Sequence, residues 1–146
     1  MDTSLSQEPL VQLVYASESI KQYDHSEIDA IVEQAKKYNH KHRISGMLYY
    51  DESVFVQLLE GSRKDVSNLF QRIWFDLRHT NVQILYLEET KIREWRDWSM
   101  LHVSTQDKKE RTFVKYSTLP SGFNPYILSG AVLKMYIHEL SATYFR

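Results

Sequence analysis

The 146-residue sequence contains no cysteine, only four glycines and three prolines, and no surplus of either charge. The absence of cysteine excludes disulfides, thiolate nucleophiles, cysteine-ligated zinc and cysteinyl cofactor adducts, and is consistent with a reducing compartment. Eighteen lysines and arginines balance 19 aspartates and glutamates, whereas nucleic-acid-binding domains are usually basic. No apolar run approaches the ~20 residues that cross a bilayer, and residues 1–9 lack signal-peptide features. We therefore expect a cytoplasmic globular protein.

Apolar patterning predicts a strand and then a helix near the start of the chain. The run at 10–16 is short, apolar and rich in β-branched residues, which is typical of a buried strand. Asp24 and Glu27 have the spacing of a capping box, and apolar residues then recur at helical spacing. We expect this helix to begin near Asp24 and to end near Asn39.

Four later segments have the character of strands. Residues 44–50 and 53–59 are separated by only two residues, which favours a tight hairpin between them. Residues 81–88 and 98–103 are the other two strand candidates, and the second of them is short.

A second helix is predicted between these pairs of strands. Ser62 and Asp65 are typical of a helix start, and apolar residues recur at helical spacing after them as far as Leu77. We expect Arg78 and His79 to lie in the last turn, where the helix dipole favours cations.

The resulting order, β-α-β-β-α-β-β, predicts a ferredoxin-like α+β sandwich with two helices on one face of a five-stranded mixed sheet. This domain covers residues 10–104, after a polar leader at 1–9. Residues 105–146 form a C-terminal helical extension with more apolar side chains than an exposed tail needs. We expect its helices to pack on the sheet or on another copy, and the segment 107–146 to mediate homo-oligomerisation.

The residues give little support for an enzyme. No nucleophile motif, GxGxxG sequence or Walker sequence is present. His40 and His42 lie in a segment rich in lysine and arginine, where histidines are more often solvated than bound to metal. We expect neither catalytic turnover nor a metal site.

Three polar side chains in apolar surroundings are more informative. Gln57 lies inside the apolar run at 53–59, and burying its amide unpaired costs about 1–3 kcal/mol. An amide both donates and accepts, so Gln57 can bridge the Tyr15 phenol and a heteroaromatic ring. Asn39 offers a second amide between the helices. The alternative is a structural glutamine bonded to backbone and a tyrosine that fills the core.

Several stretches, in order and spacing, are similar to one known family. They are LVYAS at 13–17, Asn39 with ISG at 44–46, VFVQLLEG at 54–61, DLRH at 76–79 and WSM at 98–100. The chain resembles the BLUF domains, which are blue-light sensors that use FAD, over residues 10–104. Its tail is similar to that of the short stand-alone proteins of the PixD type.

The resemblance implies a blue-light photoreceptor that binds FAD non-covalently and is not an enzyme. Tyr15 would donate an electron and a proton to the flavin under light, and Gln57 would be the amide whose hydrogen bonds rearrange. Trp98 and Met100 would relay the change along the last strand. The absence of cysteine excludes the cysteinyl-flavin photocycle of another sensor class.

The resemblance also implies which residues hold the cofactor. The isoalloxazine would lie between the two helices, clamped by aliphatic side chains, with its polar edge against amides and its phosphates near charged residues. The residues at these positions are Ile31, Asn39, Gln57, Arg72, Ile73, Asp76, Arg78 and His79. Ordinary core packing for the isoleucines and helix capping for Arg78 and His79 are the alternatives.

The signal is expected to leave through a homo-oligomer or a separate downstream signalling protein, without direct contact to nucleic acid or membrane. The alternative function is a ferredoxin-like flavin- or ligand-binding interaction domain that has the fold without the photochemistry. A purified protein without colour, which takes up no flavin, would favour that alternative.

Overall fold

The computed structural model of the chain describes residues 8–51, 53–95, 101–104 and 124–144. Within these residues the chain forms five strands and three α-helices, and a short 3₁₀ turn at Pro125–Ile127. The elements are β1 (Leu10–Ser19), α1 (His25–Lys41), β2 (Ser45–Asp51), β3 (Val54–Ser62), α2 (Arg63–Trp74), β4 (His79–Thr90), β5 (Leu101–Ser104) and α3 (Gly130–Tyr144).

The strands lie in one sheet in the order β4-β1-β3-β2-β5. Strand β1 pairs antiparallel with β3 and with β4, and β2 continues the antiparallel pairing beyond β3. The short strand β5 is added parallel to β2. The predicted α+β class is therefore confirmed. Of the last predicted strand, residues 98–100 lie outside the described residues and β5 begins at Leu101.

The interior strands are buried on both faces of the sheet. Because successive side chains of a strand point to opposite faces, β1 and β3 each contribute to two separate apolar clusters. The cluster beneath α1 and α2 includes Val11, Leu13, Tyr15, Phe55 and Leu59. The cluster beneath α3 includes Val14, Ala16, Met47, Tyr49, Val56 and Leu58.

Helix α1 begins as predicted. The Asp24 side chain accepts the backbone N–H of Glu27 at 2.9 Å, and the Glu27 side chain accepts the N–H of Asp24 at 3.3 Å, so the capping box is present. The helix continues to Lys41, which places Asn39 in its last turn. Arg43 then takes a left-handed backbone conformation, with a φ of 54°, and turns the chain into β2.

Helix α2 is shorter than predicted. It begins after Ser62, whose hydroxyl accepts a backbone N–H of the first turn at 3.1 Å, as expected. It ends at Trp74, so Arg78 and His79 lie outside it and His79 begins β4. The side chain of Leu77 is 87% exposed and does not extend the buried helical face. The prediction that Arg78 and His79 lie in the last turn of α2 is therefore wrong; the basic residue of that turn is Arg72.

A hydrogen-bonded turn ends α2 at Trp74, although the helical spacing of apolar residues continues to Leu77. The carbonyl oxygen of Ile73 accepts the N–H of Asp76 at 3.0 Å and also bonds the His79 ring at 2.6 Å. The Asp76 carboxylate accepts the N–H of Arg78 at 2.9 Å. These side-chain bonds compete with the helical pattern and redirect the backbone.

Helix α3 covers the face of the sheet opposite α1 and α2. It buries Leu133, Tyr136 and Ile137 in the second apolar cluster. Lys134 donates to the Glu88 carboxylate on β4 at 2.7 Å. The extension thus packs on the sheet, as one of the two expected arrangements; its first half, 105–123, lies outside the described residues. Among the described helices, none is long and apolar enough to span a membrane.

The packing of α3 predicts a contrast between two substitutions on this helix. Leu133 is fully buried and Met135 is 55% exposed. We expect Leu133→Ala to lower the free energy of unfolding by about 2–5 kcal/mol, because it leaves a cavity under the helix. Met135→Ala should change it by less than about 0.5 kcal/mol. Urea unfolding followed by circular dichroism measures both, and equal effects would contradict the assigned orientation of α3.

Candidate functional site

A cavity of about 270 Å³ opens between helices α1 and α2 and the sheet beneath them. Its walls come from both helices and from strands β1 to β4. The lining residues are Tyr15, Ile31, Gln34, Ala35, Tyr38, Asn39, Leu48, Phe55, Gln57, Leu69, Arg72, Ile73, Asp76, Arg78 and His79.

Tyr15 and Gln57 lie side by side in the sheet at the cavity. The antiparallel pairing of β1 with β3 places them directly opposite each other, and both are buried, with exposed fractions of 4% and 7%. The Tyr15 hydroxyl donates a hydrogen bond to Oε1 of Gln57. Burial, reinforced by the Asp76 charge, raises the pKa of the Tyr15 phenol, although Arg78 opposes this. The phenol therefore keeps its proton at neutral pH.

His79 supports the side of the cavity next to Tyr15. Its Nε2 lies 2.6 Å from the carbonyl oxygen of Ile73, and its Nδ1 lies 2.8 Å from the hydroxyl of the buried Ser17. Because a carbonyl only accepts, Nε2 carries a proton, and in the neutral ring Nδ1 accepts from Ser17. Both ring nitrogens are thus engaged by the protein, so this imidazole holds the end of α2 against β1.

The cavity has two buried amides within largely apolar walls. Asn39, in the last turn of α1, is 1% exposed, and Gln57 faces the same space from β3. Ile31 on α1 and Ile73 on α2 supply aliphatic surface from the two helices. Such an interior, apolar with a few polar groups, is typical of a small-molecule site.

The charged residues of the site lie on the side of α2 and the turn after it. Nε of Arg78 lies 2.9 and 3.1 Å from the two carboxylate oxygens of Asp76. Hydrogen bonding from Arg78 lowers the pKa of the Asp76 carboxyl. The guanidinium of Arg72 lies 4.5 Å from the centre of the Tyr38 ring, which is a cation–π geometry.

The structure brings together all the predicted site residues that it describes. Tyr15, Gln57 and the residues expected at the cofactor line one cavity, including Asp76, Arg78 and His79 in spite of the shorter α2. Trp98 and Met100, the expected relay, lie outside the described residues.

Several lining residues were not predicted as part of the site. Gln34, Ala35 and Tyr38 follow Ile31 by three, four and seven positions, so the helical period alone would have placed them on its face. Leu48 pairs with Gln57 across β2 and β3. That neighbour could be found only from the register of the hairpin.

Comparison with known proteins identifies the class of this fold and site. The family model of BLUF, described as sensors of blue-light using FAD, matches residues 10–101. This match covers more than half of the chain, and the chain belongs to the BLUF family. BLUF domains are photosensors, and the family binds flavin.

Individual relatives include both longer and similarly short proteins. The chain is 32% identical over 92 residues to photoactivated adenylate cyclase subunit beta of Euglena gracilis, a match that covers 62% of this chain and 11% of that protein. The chain thus spans about a tenth of the curated relatives that it matches.

Two solved structures are similar over most of both chains. The BlsA photo-activated state has a TM-score of 0.79 at 31% identity, covering 90% of this chain and 94% of that one. The dark state of BlrB, a BLUF protein, has a TM-score of 0.75 at 29% identity, covering 94% and 98%.

The raised pKa of Tyr15 predicts a pH dependence of stability. The folded state holds the phenol proton more tightly than the unfolded state, whose tyrosine pKa is about 10. Tyr15 therefore stabilises the fold fully below pH ~10, and this contribution is lost as the pH rises above that value. We expect the unfolding free energy of the wild type to fall more steeply above pH ~10 than that of Tyr15→Phe.

Urea unfolding of both proteins between pH 8 and pH 11, at about half-unit steps around the ordinary tyrosine pKa, measures the difference. Tyr86 is a suitable comparison because burial also raises the pKa of its phenol. The unfolding free energy of Tyr86→Phe should therefore also fall less steeply with pH than that of the wild type. Parallel curves for the wild type and Tyr15→Phe would contradict the assigned environment of Tyr15.

Proposed function

We propose that this protein is a blue-light photoreceptor that binds FAD non-covalently, with the isoalloxazine in the cavity between α1 and α2. The observation that carries the proposal is the hydrogen bond from buried Tyr15 to Gln57 at the floor of that cavity. This hydrogen bond joins an oxidisable phenol to an amide that can exchange its donor and acceptor ends. The chain that contains it belongs to a family of flavin-based light sensors.

The donor set of the cavity fits a flavin ring. A flat heteroaromatic ring needs apolar contact on its faces and hydrogen-bonding groups at one edge. Ile31 and Ile73 offer the apolar surface from the two helices, and the amides of Asn39 and Gln57 can each donate and accept. We assign Asn39 to a flavin carbonyl and Gln57 to the edge nearest Tyr15.

The size of the cavity indicates how much of the cofactor it holds. Its volume of about 270 Å³ lies just below the ~300–1,000 Å³ of cavities that enclose drug-sized ligands. It suits a ring system and not a whole dinucleotide, so the phosphates would extend past the rim. Arg72 and Arg78 lie there and can pair with phosphate oxygens.

The remaining polar residues of the rim have different tasks. Asp76 keeps the Arg78 guanidinium oriented, because its two carboxylate oxygens share the N–H that Nε of Arg78 donates. Because both nitrogens of His79 already bond Ser17 and Ile73, we assign His79 to holding Ile73 against the ring. It therefore supports the cofactor without binding its phosphates directly.

Bound flavin supplies a light-driven oxidant, and the protein supplies the groups that respond. Tyr15 would be the donor of the electron and the hydroxyl proton that this oxidant takes up, and because both return to Tyr15, no net oxidation would remain on the protein. The change that persists is in the Gln57 amide, whose rotation or tautomerisation exchanges a donor for an acceptor next to Tyr15. The lasting effect of light would thus be a changed set of hydrogen bonds around Gln57 in the middle of the sheet.

The route of the signal to other molecules is part of the same proposal. Trp98 and Met100 immediately precede β5 in sequence, and we retain them as the relay from Gln57 to the sheet edge. A homo-oligomer or a separate downstream signalling protein would then sense that edge. A bacterial light-regulated adenylyl cyclase of known structure, 24% identical with a TM-score of 0.68, has a similar fold within a longer protein, of which this chain covers 36%.

The photochemical assignment predicts the behaviour of Tyr15→Phe. The wild type should purify yellow, or take up FAD on reconstitution, and show a small reversible red shift under blue light. Tyr15→Phe should still bind FAD, because the ring contacts remain, but should lose the shift. Difference absorption spectroscopy measures both; a full reversible shift in Tyr15→Phe would overturn the mechanism. Tyr23→Phe, on a tyrosine outside the cavity lining, is the matched control and should keep the shift.

The phosphate assignment predicts a difference between two flavins. Arg72→Gln should weaken FAD binding by about threefold to tenfold, since an exposed charge pair contributes about 1 kcal/mol. Riboflavin has no phosphate, so its affinity should not change. Arg63→Gln is the matched control, because Arg63 pairs with Glu89 away from the cavity. Fluorescence titration of the apoproteins measures the affinities of the wild type and both variants for each flavin, and equal losses of FAD and riboflavin affinity in Arg72→Gln would refute the assignment.

A further inference from the structure

A buried carboxylate on β3 holds the segment that follows β4. Glu60 is fully buried, and both of its oxygens accept hydrogen bonds. Oε2 accepts from Nε2 of Gln12 at 2.8 Å and from the backbone N–H of Glu94 at 2.9 Å. Oε1 accepts from the backbone N–H of Trp95 at 3.0 Å. Three N–H donors thus satisfy a group that would be costly to bury alone.

The same segment contacts α3. Oε2 of Glu94 lies 3.2 Å from Nε2 of His138, and the Trp95 ring lies 5.1 Å from the His138 ring. Trp95 is itself buried in the cluster that contains Leu133 and Ile137 of α3. The chain of contacts therefore runs from β3, through Glu60 and the backbone of residues 94–95, to the middle of α3.

The other end of this chain lies next to the proposed switch. Gln57 and Glu60 are three positions apart on β3, so their side chains point to opposite faces. Gln57 faces the cavity and Glu60 faces α3. Across β1, Gln57 pairs with Tyr15 and Glu60 pairs with Gln12. A movement of β3 against β1 that accompanies a change at Gln57 must also move the Glu60 carboxylate.

We propose that Glu60 is a positioning residue that couples the state of the cavity to the docking of α3 on the opposite face of the sheet. It touches neither the cavity nor the ligand, and acts through the backbone N–H groups of Glu94 and Trp95. The inference rests on the proposed photoreceptor function. It adds an output on the α3 face to the relay expected at β5.

The variant Glu60→Gln tests the coupling with little change of volume. The glutamine amide has one acceptor oxygen where Glu60 has two. Its NH₂ group would therefore face an N–H group that now donates a hydrogen bond to Glu60, and that bond would be lost. Without flavin, amides of α3 should exchange with deuterium about threefold to tenfold faster than in the wild type, as expected from one lost hydrogen bond. Exchange in α1 should not change.

The decisive readout is the difference between dark and illuminated protein loaded with FAD. We expect light to accelerate exchange in α3 of the wild type, and we expect Glu60→Gln to keep the flavin red shift but to lose this difference. Glu88→Gln is the matched control. It removes the partner of Lys134 on the same helix, leaves the Glu60 contacts intact and should keep the difference.

The outcomes separate this inference from the proposed function. The absence of a red shift in the wild type would refute the photoreceptor itself. A red shift without a change at α3, or a light response of α3 that persists in Glu60→Gln, would overturn only the coupling. If Glu60→Gln does not fold, His138→Ala decides, because it removes the His138 contacts of α3 with both Glu94 and the Trp95 ring and leaves the Glu60 bonds to the backbone in place. Its loss of the light response would support the coupling, and its retention would overturn it.

Discussion

The antiparallel register between β1 and β3 is the constraint on which the rest of the structure depends. It sets Tyr15 opposite Gln57 and Gln12 opposite Glu60. Because side chains alternate between the two faces of a sheet, a shift of the pairing by one residue would move the side chains that face the cavity to the face covered by α3. Burial of both faces makes such a shift prohibitive. One pairing thus fixes the phenol–amide contact and the carboxylate beneath α3 together.

The sequence predicted those parts of the fold that depend on neighbouring residues. The capping box at Asp24 and the start of α2 at Ser62 involve groups within three positions of each other, so their signals are local. The site residues were found for a different reason. Polar side chains inside an apolar run, such as Gln57, must have partners, and the ordered motifs of a known family indicated which ones.

The parts that the sequence did not predict depend on distant partners. The end of α2 is set by His79, which bonds Ile73 on one side and Ser17, 62 positions away, on the other. The role of Glu60 depends on Gln12 and on backbone groups at 94 and 95, 34 and 35 positions along the chain. No periodicity reveals a carboxylate whose partners are main-chain N–H groups of a remote loop.

The cavity also links the folding of the chain to the supply of its ligand. Two helices and four strands contribute to its walls, so the unfolded chain has no such site. A ligand that binds only the folded form, present at 100 times its Kd, stabilises that form by about 2.7 kcal/mol. Small domains have a total stability of about 5–15 kcal/mol. In a member of a flavin-binding family, the free energy of unfolding would therefore rise with the supply of flavin, before any photon is absorbed.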